Sequence, residues 1–254
     1  MFPEERRREI LVTLERHGRC LVADLAKQLE VSEVTIRQDL DVLEGDGLLR
    51  RTHGGAILVR KMGLERPFQV EETAHHPEKE RIGEAAVELL SPGDTVILDV
   101  GTTVTEAARK LVAARKRPTV FTNGLNIAAI LEGDPEATTV VTGGTLRAKQ
   151  HSLVNPFGEL ILSRLRADIA FLGANGIDAE HGVSNVNVAE AEIKALFVRA
   201  ARRRVVLADS TKVGKVALAK YAELHEVDLL ITDRGANPEV VRALREKGLE
   251  IRLV

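Results

Sequence analysis

Short apolar runs recur from residue 79 to the end of the chain: TVILD, TVFT, TTVVT, DIAFL, RVVLAD, DLLIT and EIRLV. Amphipathic stretches such as TEAARKLVAARK and PEVVRALREKG lie between several of them. Strands that alternate with helices predict βαβ units, because parallel neighbours are joined by helical crossovers. The runs are apolar at consecutive positions, as expected of strands covered by helices on both faces. The spacing therefore predicts an α/β domain with a largely parallel sheet over residues 79–254.

Residues 1–57 follow a different pattern. Ile10, Leu11 and Leu14 mark one helix face, and Gly18 ends that helix. Leu25, Ala26 and Leu29 mark a second helix. Ser32 is suited to cap a third, in which Ile36, Leu40 and Leu43 share one side. Gly45 and Gly47 break it, and LLRR and GGAILV around THGG suit a small two-stranded wing. Residues 58–78 lack periodicity and carry Gly63, Pro67 and Pro77, which reads as a linker.

The totals limit the function classes. With 254 residues the chain can hold two domains. Its net charge of −2 argues against a generic coat for polyanions. The single cysteine, Cys20, allows no intramolecular disulfide and no cysteine metal cluster. His151, His181 and His225 have no metal-like spacing, so neither a metal nor a cofactor is expected. No apolar run reaches the ~18 residues of a membrane span, and the charged N-terminus has no signal-peptide core. A cytoplasmic protein without membrane contact is expected.

Three helices followed by a hairpin, with the third helix starting Ser-x-x-Thr, fit a winged helix-turn-helix. Its third helix enters the major groove of double-stranded operator DNA N-terminus first. With Ile36, Leu40 and Leu43 inward, Val34 and Gln38 face outward and Thr35 and Arg37 flank them. Arg37 and Gln38 can pair with base edges and Thr35 can meet a thymine methyl. Ser32 at the helix start suits a phosphate. Arg50, Arg51 and His53 on the wing can reach the backbone or minor groove. Residues 1–60 hold ten Lys and Arg against eleven Asp and Glu, so the reading needs basic residues gathered on one face. A three-helix protein-binding module with a solvated charged face fits the same pattern.

Residues 7–56 resemble the DeoR-type helix-turn-helix of bacterial sugar-metabolism repressors. The resemblance rests on Val31-Ser32, Thr35-Ile36-Arg37, Asp39-Leu40, Arg51 and His53-Gly54-Gly55-Ala56. The chain departs at Gln38, where the family has a second arginine. The resemblance implies DNA binding, and readers of repeated sites are expected as dimers or tetramers.

In the second half, several strand ends carry small or polar residues. These are Asp99, Gly101, Thr102 and Thr103; Thr122 and Asn123; Gly143 and Gly144; Asn175 and Asp178; and Asp209 and Lys212. In a parallel sheet these ends share one edge, where ligands bind. Gly101-Thr102-Thr103 before a helix offers amides, hydroxyls and a helix dipole to an anion. Lys212 adds a positive charge, while Asn123, Asp99 and Asp209 can bond hydroxyls. Phosphate plus polyol points to a phosphorylated sugar or a related metabolite. No G-x-G-x-x-G follows a strand and no P-loop is present, which disfavours dinucleotides and nucleoside triphosphates.

The DeoR resemblance continues through DVGTT, TNGLNIA, GGTLR, DIAFLGANGI, EAEIK and ADSTKVG. It implies a sensor domain similar in fold to ribose-5-phosphate isomerase and CoA-transferase relatives, with Lys194 and Lys212 as cationic ligand contacts. The isomerases carry Asp-Gly-Ala-Asp at one strand end, where this chain has Leu172-Gly173-Ala174-Asn175. Both acids are absent, so the proton-shifting base is missing. A ligand-responsive repressor is expected, not an enzyme. The rivals are a sugar-phosphate isomerase with an accessory domain and a nicotinamide-sensing repressor.

Overall fold

The computed structural model describes residues 1–58, 65–134 and 136–254, with the backbone alone for Glu15 and Arg16. Two compact units divide it, Met1–Ala74 and His75–Val254.

The first unit begins with α1 (Pro3–His17), which Gly18 ends in the left-handed conformation at φ 74°. Then come β1 (Arg19–Leu21), α2 (Val22–Gln28), α3 (Glu33–Gly45), β2 (Leu49–Thr52) and β3 (Gly55–Leu58). Ser32 caps α3, its Oγ accepting the Thr35 amide at 3.1 Å. Ile36, Leu40 and Leu43 turn inward and share one core with Ile10, Leu14 and Leu25. The wing has three strands, because β1 adds to β3. Gly55 is required there: a Cβ would sit 1.8 Å from the Cys20 carbonyl oxygen.

The expected linker is different. Residues 59–64 lie outside the described residues. The remainder is largely helical, with α4 (Phe68–Thr73) and the start of α5 (His76–Glu88). Val70 joins the first unit's core, and Arg8 Nε donates to Thr73 Oγ1 at 2.7 Å. The two prolines are not breakers here. Pro67 is the N-cap of α4 and Pro77 lies in the first turn of α5, where a missing amide costs nothing. The second unit accordingly starts at His75 and not at 79.

The second unit continues with β4 (Thr95–Leu98), α6 (Thr102–Ala113), β5 (Thr119–Thr122), α7 (Leu125–Leu131) and β6 (Thr138–Val141). A hairpin of β7 (Thr145–Arg147) and β8 (Ser152–Val154) precedes α8 (Phe157–Leu162) and β9 (Ala167–Gly173). Next are β10 (Gly176–Asp178), β11 (Gly182–Asn185), α9 (Val188–Ala200), β12 (Ala201–Leu207) and β13 (Ala219–Ala222). The chain closes with β14 (Leu229–Thr232), α10 (Pro238–Glu246) and β15 (Glu250–Leu253).

The seven apolar runs each supply one strand of a seven-stranded sheet, in the order β15-β14-β12-β9-β4-β5-β6. Every neighbouring pair in it is parallel. Both faces are covered. Ala170 and Leu172 of β9 enter one core with residues of α9 and α10. Ile169 and Phe171 enter another with residues of α5, α6 and α7. From β4 the chain adds β5 and β6 on one side, then β9, β12, β14 and β15 on the other. The topological switch point thus lies between β4 and β9, where open α/β sheets leave a crevice at the strand ends.

Candidate functional site

At the switch point Asp99, just past β4, faces Gly173 at the end of β9. The Gly173 amide donates to Asp99 Oδ2 at 2.9 Å. Lys194 reaches the same oxygen from α9 and also donates to the Gly173 carbonyl at 3.1 Å. Both side chains are buried, at 0 % and 2 % exposure. Tyr221 Oη donates to the Gly173 carbonyl at 2.9 Å, and its ring lies 5.6 Å from Lys194 Nζ. Burial pushes the Asp99 carboxyl above its usual range, against the pull of Lys194 and the Gly173 amide. Burial, reinforced by Asp99, holds the Tyr221 phenol well above its ordinary value. Asp99 Oδ1 is buried and has no hydrogen-bond partner among the described residues.

Beside this pair Gly101 is the N-cap of α6, at φ 147°, with no side chain capping the helix. The first-turn amides of an α-helix have no partner within the helix. The helix dipole adds partial positive charge there. Gly101 and Thr102 are half-exposed while Thr103 is buried. The β7–β8 hairpin folds over the neighbouring strand end, with the Leu153 amide donating to the Asn123 carbonyl at 2.8 Å. Gly143 and Gly144, half-exposed, lead into it. Gly144 tolerates no side chain, since a Cβ would lie 2.0 Å from the Val154 carbonyl oxygen.

Several expected ligand contacts have internal partners instead. Asn123 is fully buried; its Oδ1 accepts the Val100 amide at 2.9 Å and its Nδ2 donates to the Leu153 carbonyl at 3.3 Å. Thr122 Oγ1 accepts the Gly124 amide. Asn175 Oδ1 accepts the Val186 amide at 3.1 Å. Asp178 Oδ1 accepts the turn amides of Glu180 and His181 and lies 2.9 Å from the His181 ring Nδ1; against partial burial, the ring contact and then the turn amides hold its carboxyl below the usual range. Asp209 Oδ1 accepts from Thr211 and caps the 3-10 turn Ser210–Lys212. Lys212, half-buried, closes that turn with its amide on the Asp209 carbonyl at 3.0 Å. Lys194, expected as a ligand cation, is the buried partner of Asp99.

One polar knot escaped sequence reading. Glu190 Oε1 accepts from Arg147 and from Ser152 Oγ at 2.6 Å, tying the hairpin to the start of α9. Asn187 Oδ1 accepts the Glu190 amide as the N-cap of α9. Asn-x-x-Glu before a helix was the available signal.

In the first unit, α3 presents Ser32, Val34, Arg37 and Gln38 as exposed side chains, with Thr35 half-exposed. Val34 is 61 % exposed, an apolar group left on the polar face. Arg37 Nη2 donates to Glu33 Oε2 at 2.6 Å, one turn earlier. Arg50 and His53 are exposed on the wing. Arg51, expected beside them as a nucleic-acid contact, is turned inward. Its guanidinium donates to the Arg37 carbonyl at 3.1 Å and pairs with Asp41, and its amide donates to Glu44 Oε1 at 2.7 Å. It fastens the wing to α3. On the opposite side of α3, buried Asp39 pairs with Arg6 and Arg7 of α1.

Comparison with known proteins agrees with this division. Residues 6–62 match the DeoR-like helix-turn-helix domain and residues 74–234 the DeoR C terminal sensor domain. The chain is 37 % identical to the HTH-type transcriptional regulator GlpR of Haloferax volcanii, covering 99 % of this chain and 98 % of that one. It is 35 % identical to the HTH-type transcriptional repressor GlcR of Bacillus subtilis, covering 99 % and 96 %. It is 32 % identical to the HTH-type transcriptional regulator GolR of Listeria innocua, covering 100 % and 99 %. Among solved structures, ribose 5-phosphate isomerase A from Methanocaldococcus jannaschii aligns over 56 % of each chain, at 18 % identity and a TM-score of 0.42. No helix among the described residues is long and apolar enough to cross a membrane.

Proposed function

Because the chain belongs to the DeoR family of transcriptional regulators, we propose that it is a cytoplasmic repressor of sugar-metabolism genes that a phosphorylated sugar releases from its operator. The observation that carries the ligand half is the uncapped start of α6 at the switch point. An uncapped N-terminus there suits a phosphate. The unpartnered Asp99 Oδ1 beside it suits a hydroxyl donor of the same ligand. Thr102, Gly143, Gly144 and Lys212 complete the proposed contacts. Asn123, Thr122, Asn175 and Asp209 serve this site by holding its loops, since their own polar atoms are engaged. Release follows if the ligand binds one arrangement of the regulator better than the other.

Binding is not followed by turnover in this reading. Gly173-Ala174-Asn175 offers no carboxylate at the end of β9, and Asp99 is tied to Lys194.

The DNA half rests on the exposed polar face of α3 and on Arg50 and His53. Two or more heads, on a dimer or tetramer, supply the phosphate contacts that one nearly neutral head lacks. Arg37→Ala is expected to weaken operator binding by about 1–3 kcal/mol, concentrated at one base pair. A gel-shift titration against single-base operator variants checks this. A uniform loss across variants would move Arg37 to the phosphate contacts.

Lys212→Ala tests the sensor. A charge-assisted hydrogen bond contributes about 1.5–3 kcal/mol, so effector affinity should fall roughly ten- to a hundredfold while operator binding without effector is unchanged. Calorimetry with a panel of sugar phosphates and anisotropy with operator DNA measure the two halves. Parent-like effector affinity in the variant would place the phosphate elsewhere.

A further inference from the structure

On the α5–α6 face of the sheet, His76 and Glu80 stand one helical turn apart on α5, and Glu106 faces them from the second turn of α6. One ligand atom of each lies within 4.8 Å of the others. His76 Nδ1 is 3.8 Å from Glu106 Oε1. Glu106 is 2 % exposed, and among the described residues its Oε1 has no hydrogen-bond partner; His76 Nδ1 is likewise buried and without one. A carboxylate oxygen withdrawn from water in this way is costly unless a cation meets it.

The nearby protein cations do not fill that role well. Arg109 Nε is 3.6 Å from Glu106 Oε1, and Lys110 Nζ is 3.6 Å from Glu80 Oε1. Neither is within hydrogen-bonding distance of those carboxylate oxygens.

We propose that His76, Glu80 and Glu106 bind one first-row divalent transition-metal cation. Ligands at about 2.0–2.2 Å from a tetrahedral ion lie roughly 3.3–3.6 Å apart. The observed spacing therefore needs side-chain adjustment only. The imidazole selects against magnesium and calcium, which take oxygen ligands, and the lack of thiolate selects against copper(I). Zinc, cobalt and manganese fit the donor set. The platform is rigid. Gly83 of α5 lies so close to α6 that a Cβ would be 2.7 Å from the Ala107 amide nitrogen and 2.8 Å from the Glu106 carbonyl carbon. A bound ion would pin the first turn of α5 to α6.

Sequence reading weighed other histidines and passed over His76, because one partner is on a different helix. The test uses the full chain and cobalt(II), whose visible absorption reports coordination by nitrogen and oxygen. The expected result is one saturable equivalent per chain, displaced by zinc, with a higher melting temperature for the α/β unit. His76→Gln and Glu106→Gln should each weaken binding at least about tenfold. His76 is partly exposed, so its variant keeps the fold and carries the test should Glu106→Gln unfold. Absence of saturable cobalt binding to the parent, or binding by His76→Gln equal to the parent's, overturns the proposal.

Discussion

Lys194→Met is expected to destabilise the α/β unit by about 3–5 kcal/mol near pH 8, the usual cost of leaving one partner of a buried ion pair uncompensated. Asp99 keeps the Gly173 amide but loses the charge that offsets its burial. The loss should depend on pH in a specified direction. Burial already raises the folded-state Asp99 carboxyl above its ordinary value, and removing Lys194 raises it further. The folded state then binds more protons than the unfolded state. The penalty is full above the folded pKa, fades as pH falls through it, and is gone below the unfolded value. Urea denaturation should therefore find the variant closer to the parent near pH 5 than near pH 8. Asp99→Asn combined with Lys194→Met should recover most of the loss, since no buried charge remains. A loss under about 1 kcal/mol, well short of a broken buried pair, or one that does not shrink with acid, would mean that water reaches the pair.

Asp39→Ala should abolish operator binding by unfolding the first unit alone. Asp39 is buried and anchors α3 to Arg6 and Arg7 of α1, and Arg6 itself is 8 % exposed. Removing the carboxylate strands a buried guanidinium, at a cost of about 3–5 kcal/mol. A unit of this size has only about 3–5 kcal/mol in hand. The expected calorimetric trace loses or strongly lowers one transition and keeps the other, and sugar-phosphate binding persists. Two parent-like transitions with operator binding intact would show that Asp39 is dispensable.

The sheet was legible because both its faces are buried. Consecutive apolar residues such as Ile169-Ala170-Phe171-Leu172 divide between two cores, so each strand is a solid run in the sequence. The order of the strands left no such mark. Neither did the short pieces. Strands β7 and β8 have three residues each, and β10, β11 and β13, of three or four residues, form a small antiparallel sheet. Pro67 and Pro77 misled because proline both breaks helices and starts them. At the site, the polar motif residues stand at the strand ends, but several already have partners within the fold. Asn123 and Lys194 are as polar as a ligand contact needs to be, and only the fold reveals that Val100, Leu153 and Asp99 already engage them. The Glu190 knot joins residues 38 and 43 positions apart; Asn187 marks the start of α9 in the sequence, but no local pattern ties Glu190 to Arg147 and Ser152.

The switch point also orders events in time. Strand β4 has β9 as its inner neighbour, and the Thr95 amide donates to Asp168 across 73 residues of chain. During synthesis β4 and β5 emerge with one side of the sheet missing, and the central pairing waits until β9 has left the ribosome. The first unit closes sooner, since all of its partners lie within Met1–Ala74. Local contacts form quickly and distant ones slowly, so the DNA-reading head can be complete while the sensor is still an open half-sheet. On a nascent chain the winged head is thus folded before the central sheet of the second unit is closed.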